Sequence, residues 1–138
     1  MSTMPFYFYP TPGQLLICNF DTGFKPPEMV KKRPVVVISP RFRRRHPLCT
    51  VVPLSTKVPN PVEPYHHRMD PQSLPGNLAR RETWAKCDVV ATVSLERLDR
   101  VLIGNRLDGS RIYVAESVTA DDLAAIRGCV AIALGLTG

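Results

Sequence analysis

Pro34-Val35-Val36-Val37-Ile38-Ser39 is the stretch on which the reading of this chain turns. Its β-branched residues lose rotamer freedom in a helix and pack well on a pleated surface. Pro34 and Pro40 close it at both ends, so it is too short for a helix and predicts a buried strand. Working outward, Gly13 to Phe20 reads as a first strand, and Asp21 to Lys32, with Gly23, Pro26 and Pro27, reads as a loop. Leu48 to Ser55 reads as the next strand, open to a break at Pro53. The polar run Glu63 to Met69 fits an exposed edge strand, Pro71 to Arg81 a loop, and Thr83 to Val93 a further strand. Ser94 to Arg97 suits one short helical turn, and Val101–Gly104 and Arg111–Val114 pair as a hairpin through Asp108-Gly109.

The C-terminal segment changes period. Leu123, Ile126, Val130 and Leu134 recur at helical spacing over 119–134. Thr119 suits the N-cap, Asp121 and Asp122 favour the positive end of the helix dipole, and Gly135 can end the helix. Short strands followed by one amphipathic helix predict a mainly β protein, a small barrel or curled sheet with a packed helix. Residues 1–138 are expected to form one domain, with 1–12 as an irregular aromatic arm.

Eighteen Lys and Arg against 12 Asp and Glu give +6, a balance that suits a polyanion, an acidic protein segment or mere solubility. No apolar run is long enough for a transmembrane helix, and the start lacks the pattern of a secretory signal. The expected location is the cytoplasm, with Cys18, Cys49, Cys87 and Cys129 reduced and serving as small apolar residues. Neither these cysteines nor His46, His66 and His67 have metal-ligand spacing, so no metal is expected. His66 and His67 are adjacent and would point to opposite faces of a strand. Tyr65 and Trp84 could stack an unpaired base or pack in a core.

Several segments, taken in order, resemble the MazF/PemK toxin family. They are Gly13 with Cys18 and Phe20-Asp21; Glu28 with Lys32-Arg33-Pro34-Val35-Val36-Val37; Val51-Val52-Pro53-Leu54-Ser55-Thr56; and Cys87-Asp88 with Arg97-Leu98. The resemblance implies an SH3-like barrel with a C-terminal helix, a homodimer, a cognate antitoxin and metal-independent, cofactor-free cleavage of single-stranded RNA. This chain departs from the family pattern in its first loop, where Gly23 to Glu28 has no His, and at Lys86 and Val89.

Such cleavage needs a base for the 2′-OH, a cation for the phosphate, and a donor for the departing 5′-oxygen. By the resemblance Asp88 is the expected base and Glu28 its competitor, and Arg33 grips the phosphate through its planar fork. Lys86 adds charge or a proton, and the Ser55 hydroxyl bonds the phosphate. Thr56, Arg97, Arg43, Arg44 and Arg45 are expected to help hold RNA, although Arg97 could instead pair with Asp88. The alternative is a non-catalytic member of the same fold that binds protein, in the manner of a gyrase inhibitor, or nucleic acid.

Overall fold

The computed structural model describes residues 9–28, 30–41 and 47–136. The strands are β1 (Leu15–Asn19), β2 (Lys32–Val37), β3 (Leu48–Ser55), β4 (His66–Arg68), β5 (Trp84–Lys86), β6 (Ala91–Ser94), β7 (Leu98–Asp99), β8 (Val101–Asn105) and β9 (Arg111–Val114). One α-helix, α1 (Ala120–Ala133), follows. Seven strands form an antiparallel sheet in the order β4-β5-β3-β2-β1-β7, with β6 also on β3, and β8 and β9 form a separate hairpin. Pairing among the described residues runs from β4 to β7 without returning, so the expected barrel is an open one.

Strand alternation sorts the core into two clusters, one on each side of the sheet. Leu16, Cys18, Val35, Val37 and Val51 meet Phe20, Cys49, Val93, Leu95 and Leu98 on one side. Leu15, Val36, Val52, Leu54 and Ala85 meet Ile126 and Val130 of α1 on the other. The valine run is therefore buried on both faces, which is why it shows no polar alternation. β2 begins two residues earlier than the valine run alone indicates, because Lys32 and Arg33 already pair with Asn19 and Cys18. Pro53 does not break β3; it sits opposite Val35 within a continuous strand.

The expected single strand over Thr83–Val93 is divided. Leu54 pairs with Ala85, and in that register Val51 would face Asp88, but it faces Ala91 instead. The surplus is the 3-10 turn Cys87–Val89, which leaves the ladder, buries Cys87 and exposes Asp88. The polar run before β4 also contributes less strand than expected, since only His66–Arg68 pairs with β5. Residues 71–81 contain two 3-10 turns, Pro71–Ser73 and Gly76–Arg80. Gly76 has φ +55, and a Cβ there would come within 3.2 Å of Ile103, so glycine lets this turn approach β8.

Thr119 caps α1 by accepting from the Asp122 amide, and Gly135 at φ +71 ends it. Leu134 is the C-cap and is 57% exposed, unlike Ile126 and Val130. Asp122 does more than favour the dipole. It is only 4% exposed, and its carboxylate accepts from the Ser73 hydroxyl (2.5 Å) and the Asp70 amide (3.0 Å), with His67 Nε2 at 2.8 Å. These bonds fasten α1 to β4 and the following turn. Asp122→Ala would strand buried donors, so chemical denaturation should show a loss of about 2–4 kcal/mol with far-UV circular dichroism retained.

Candidate active site

The sheet face opposite α1 carries Arg33, Ser55 and Lys86, three of the site residues expected from the sequence. Val35 stands opposite Pro53, so Arg33 and Ser55 come next in the same register, on the side of Cys18. Ser55 pairs with Trp84, which pairs with Arg68. One step along β5, Lys86 pairs with His66. Alternation thus lays Arg33, Ser55, Trp84, Lys86, His66 and Arg68 on one face, and turns Ala85 and His67 toward α1. Arg33 is half-buried, and its Nε is buried with no hydrogen-bond partner among the described residues. A half-buried cation at the core's rim is suited to an incoming anion through its terminal N–H groups.

Asp88 follows Lys86 by way of the surplus turn and is exposed. Its charge reaches Tyr65: partial burial first, then Asp88 and Glu63, hold the Tyr65 phenol above its ordinary value. Tyr65 joins Lys57, Pro59, Asn60, Glu63, His66 and Lys86 around an open cavity of about 550 Å³. The Ser55 hydroxyl accepts from the Lys57 amide (3.1 Å) and so shapes one edge of this cavity. Thr56 lies half-buried between them. A cleft with cations, a carboxylate and hydroxyls on one side, backed by packed strands, can bind a polyanion and move a proton.

Other predicted residues hold the structure around this cleft. Glu28 Oε1 accepts from the Lys25 amide (2.6 Å) while the Glu28 amide donates to the Lys25 carbonyl (2.7 Å), closing a tight turn. Glu28 also lines a small cavity of about 120 Å³ with Phe20, Phe24 and Val89–Ala91, just beyond Asp88. Arg97 donates to the carbonyls of Asn19 (3.0 Å) and Thr22 (2.8 Å) and lies 4.9 Å from the Phe24 ring centroid. It clamps the β1–β2 loop and is not the expected partner of Asp88. Arg43, Arg44 and Arg45 lie outside the described residues. Lys57 and Asn60, in a turn with Pro59 and Pro61, and Glu63, at the start of the expected edge strand, were not singled out from the sequence; a polar turn next to Ser55 was the available signal.

Three of the cysteines are buried and the fourth, Cys129, is half-buried. Burial, despite the opposing charge of Arg97, pushes the Cys18 thiol up to about 12. Burial, then Cys129 and Asp88, pushes Cys87 up to about 12. Neither is a reactive thiolate near neutrality.

This geometry defines a class: a mainly β, antiparallel protein with a C-terminal helix and a basic, hydroxyl-bearing cleft on the sheet's other side. The chain belongs to the PemK-like, MazF-like toxin family of type II toxin–antitoxin systems, whose sequence profile matches residues 11–134. Among curated proteins it is 32% identical over 116 residues to the uncharacterized protein YifN of Escherichia coli, covering 70% of this chain and 76% of that one. It is also 32% identical over 101 residues to an uncharacterized protein of Haemophilus influenzae, covering 64% and 68%. Among solved structures, MazF from Deinococcus radiodurans superposes with a TM-score of 0.64 at 21% identity, covering 93% of this chain and 98% of that one. An endoribonuclease in complex with its cognate antitoxin, from a mycobacterial species, gives 0.61 at 22% identity, covering 94% and 98%. These structural likenesses establish the shared fold.

Two predictions follow from the bonds around the cleft. Arg97→Ala should speed amide hydrogen exchange over 20–28 and cost about 1–2 kcal/mol of stability, because two carbonyls lose a charged donor. Cys18 and Cys87 rise from 9.0 in the open chain to about 12 in the folded one. The unfolded chain therefore releases these protons first. Stability should be insensitive to the two thiols below pH 9.0 and fall as pH climbs toward about 12, as read by denaturation midpoints against a Cys18→Ala, Cys87→Ala variant.

Proposed function

We propose that this chain is the toxin of a type II toxin–antitoxin pair, a metal-independent endoribonuclease that cuts single-stranded RNA. The observation that carries the reading is the common face: Arg33, Ser55 and Lys86 are brought to one side of the sheet by register, with Asp88 on the turn that follows Lys86. Family membership gives that face its chemical context.

In this mechanism Asp88 takes the proton of the ribose 2′-OH. The 2′-oxygen bonds to phosphorus as the bond from phosphorus to the 5′-oxygen breaks. The departing oxygen receives a proton from Lys86, leaving a 5′-OH and a 2′,3′-cyclic phosphate. Arg33 grips the non-bridging oxygens through its fork, and the Ser55 hydroxyl adds a hydrogen bond. The nucleophile belongs to the substrate, so no covalent protein residue is needed, and DNA is spared. Side chains make both proton transfers, which is why the reading calls for no metal.

The partners that fit are a cognate antitoxin and a second copy of the chain. An acidic, disordered segment would complement a protein of +6 net charge and cover its basic cleft.

The test is cleavage of a mixed RNA pool by pure protein with chelator present, with the cut ends mapped. Defined cuts ending in cyclic phosphate are expected. Arg33→Ala and Asp88→Ala should each lower the rate by about 10²- to 10⁴-fold with the fold intact. An Arg33→Ala protein as active as the parent sinks the proposed site. Binding with strong salt dependence but no cutting assigns the chain to a non-catalytic, RNA-binding role.

A further inference from the structure

We infer that His66 is a further substrate-contacting residue of the cleft, donating from Nε2–H to a non-bridging oxygen of the bound phosphodiester. The inference rests on the endoribonuclease reading and adds to it a residue that touches the reacting phosphate.

The two adjacent histidines have been sorted by the strand. His67 faces α1, where its Nε2 lies 2.8 Å from Asp122, in a structural network. His66 faces the other way, directly opposite Lys86, and lines the cavity of about 550 Å³ with Lys57, Tyr65 and Lys86. Its ring is held by the backbone of Glu63. Nδ1 accepts the Glu63 amide at 2.9 Å, while the His66 amide donates to the Glu63 carbonyl at 3.0 Å. The Tyr65 ring meets the imidazole edge-on, with centroids 4.6 Å apart.

This geometry fixes the tautomer. A nitrogen that accepts an N–H must present its lone pair, so the neutral ring carries its proton on Nε2. No described residue accepts from that N–H. The cleft therefore holds a preset donor whose orientation is determined before any ligand arrives, the property that makes a donor effective toward developing charge.

Two cations, Lys57 and Lys86, line the cavity with Glu63, and the Asp88 charge reaches Tyr65 at its edge. A phosphodiester supplies one negative charge and acceptor oxygens at each nucleotide. As the 2′-oxygen attacks phosphorus, charge accumulates on the non-bridging oxygens and the Nε2–H bond to one of them strengthens. The proton stays on Nε2 throughout, so the proton balance between Asp88 and Lys86 is unaltered.

The two ring nitrogens can be separated by substitution. His66→Asn places its side-chain oxygen near the Nδ1 position, keeping the Glu63 bond and removing the cleft donor. His66→Gln extends an amide N–H to about the Nε2 position. In the full chain, His66→Asn should cut RNA about 10- to 100-fold more slowly, and His66→Gln should stay within about threefold of the parent. In parallel, the Nε2 resonance of His66 in protein labelled with ¹⁵N-histidine should shift on titration with a short mixed-sequence 2′-O-methyl oligonucleotide, which cannot be cleaved. The His67 resonances serve as an internal control and should stay still.

A parent that cuts, with His66→Asn equally active and the His66 signal unmoved, overturns this inference and leaves the endoribonuclease reading standing. A parent that never cuts but shifts the His66 signal supports the contact and sinks the enzyme. Absence of both cutting and shift overturns both.

Discussion

β3 is the strand on which the arrangement depends. It pairs with β2 along one edge, and along the other with β5 and then β6. The chain from β5 to β6 is longer than the ladder can absorb, so Cys87–Val89 must leave it. That constraint does two things at once. Cys87 turns inward and joins the cluster under α1, while Asp88 turns outward beside Lys86. A straight strand would have set Asp88 opposite Val51, in the middle of the core. The excursion keeps a carboxylate in water at a place where the neighbouring backbone is firmly packed.

Period-two alternation then divides labour between the faces. Toward α1 it sends residues that close a core, including a His67–Asp122–Ser73 network whose polar groups are mutually satisfied. Away from α1 it sends Arg33, Ser55, Lys86 and His66. The contrast in satisfaction is informative. Asp122 is buried and has several partners, whereas the buried Nε of Arg33 has none among the described residues. An orphaned donor on a cation is costly in an apolar setting.

Much of the fold could be read from the sequence, because burial imposes period. The valine run, the strand Leu48–Ser55, the β8–β9 hairpin and α1 all lie close to where patterning put them. The break within Thr83–Val93 was not legible, since a three-residue surplus arises from the pairing registers of two distant segments and not from local composition. The same limit applies to the cleft. Arg33, Ser55 and Lys86 could be named from a family pattern, but their common face depends on register. Glu28 and Arg97 carry the residue types expected of a catalytic site, yet their local bonds are to turn and loop backbone. Composition does not show that the Arg97 guanidinium clamps a loop; the identity of its acceptors does.

His66 illustrates the same principle from the other direction. In sequence it is indistinguishable from His67, one residue away. In the fold, one ring is spoken for by a buried carboxylate and the other by a backbone amide. Bonding to a carboxylate satisfies the Nε2 end of His67. Bonding to an amide satisfies the Nδ1 end of His66 and commits its proton to the far nitrogen. A single backbone N–H therefore decides the polarity of a side chain in the cleft, because imidazole has only two nitrogens and the first partner dictates what the second can do. The strand that carries both rings is short and is held between α1 and β5. The bonds that anchor His67 to the helix thus also steady its neighbour, and a structural contact on one face of β4 becomes a source of order on the other.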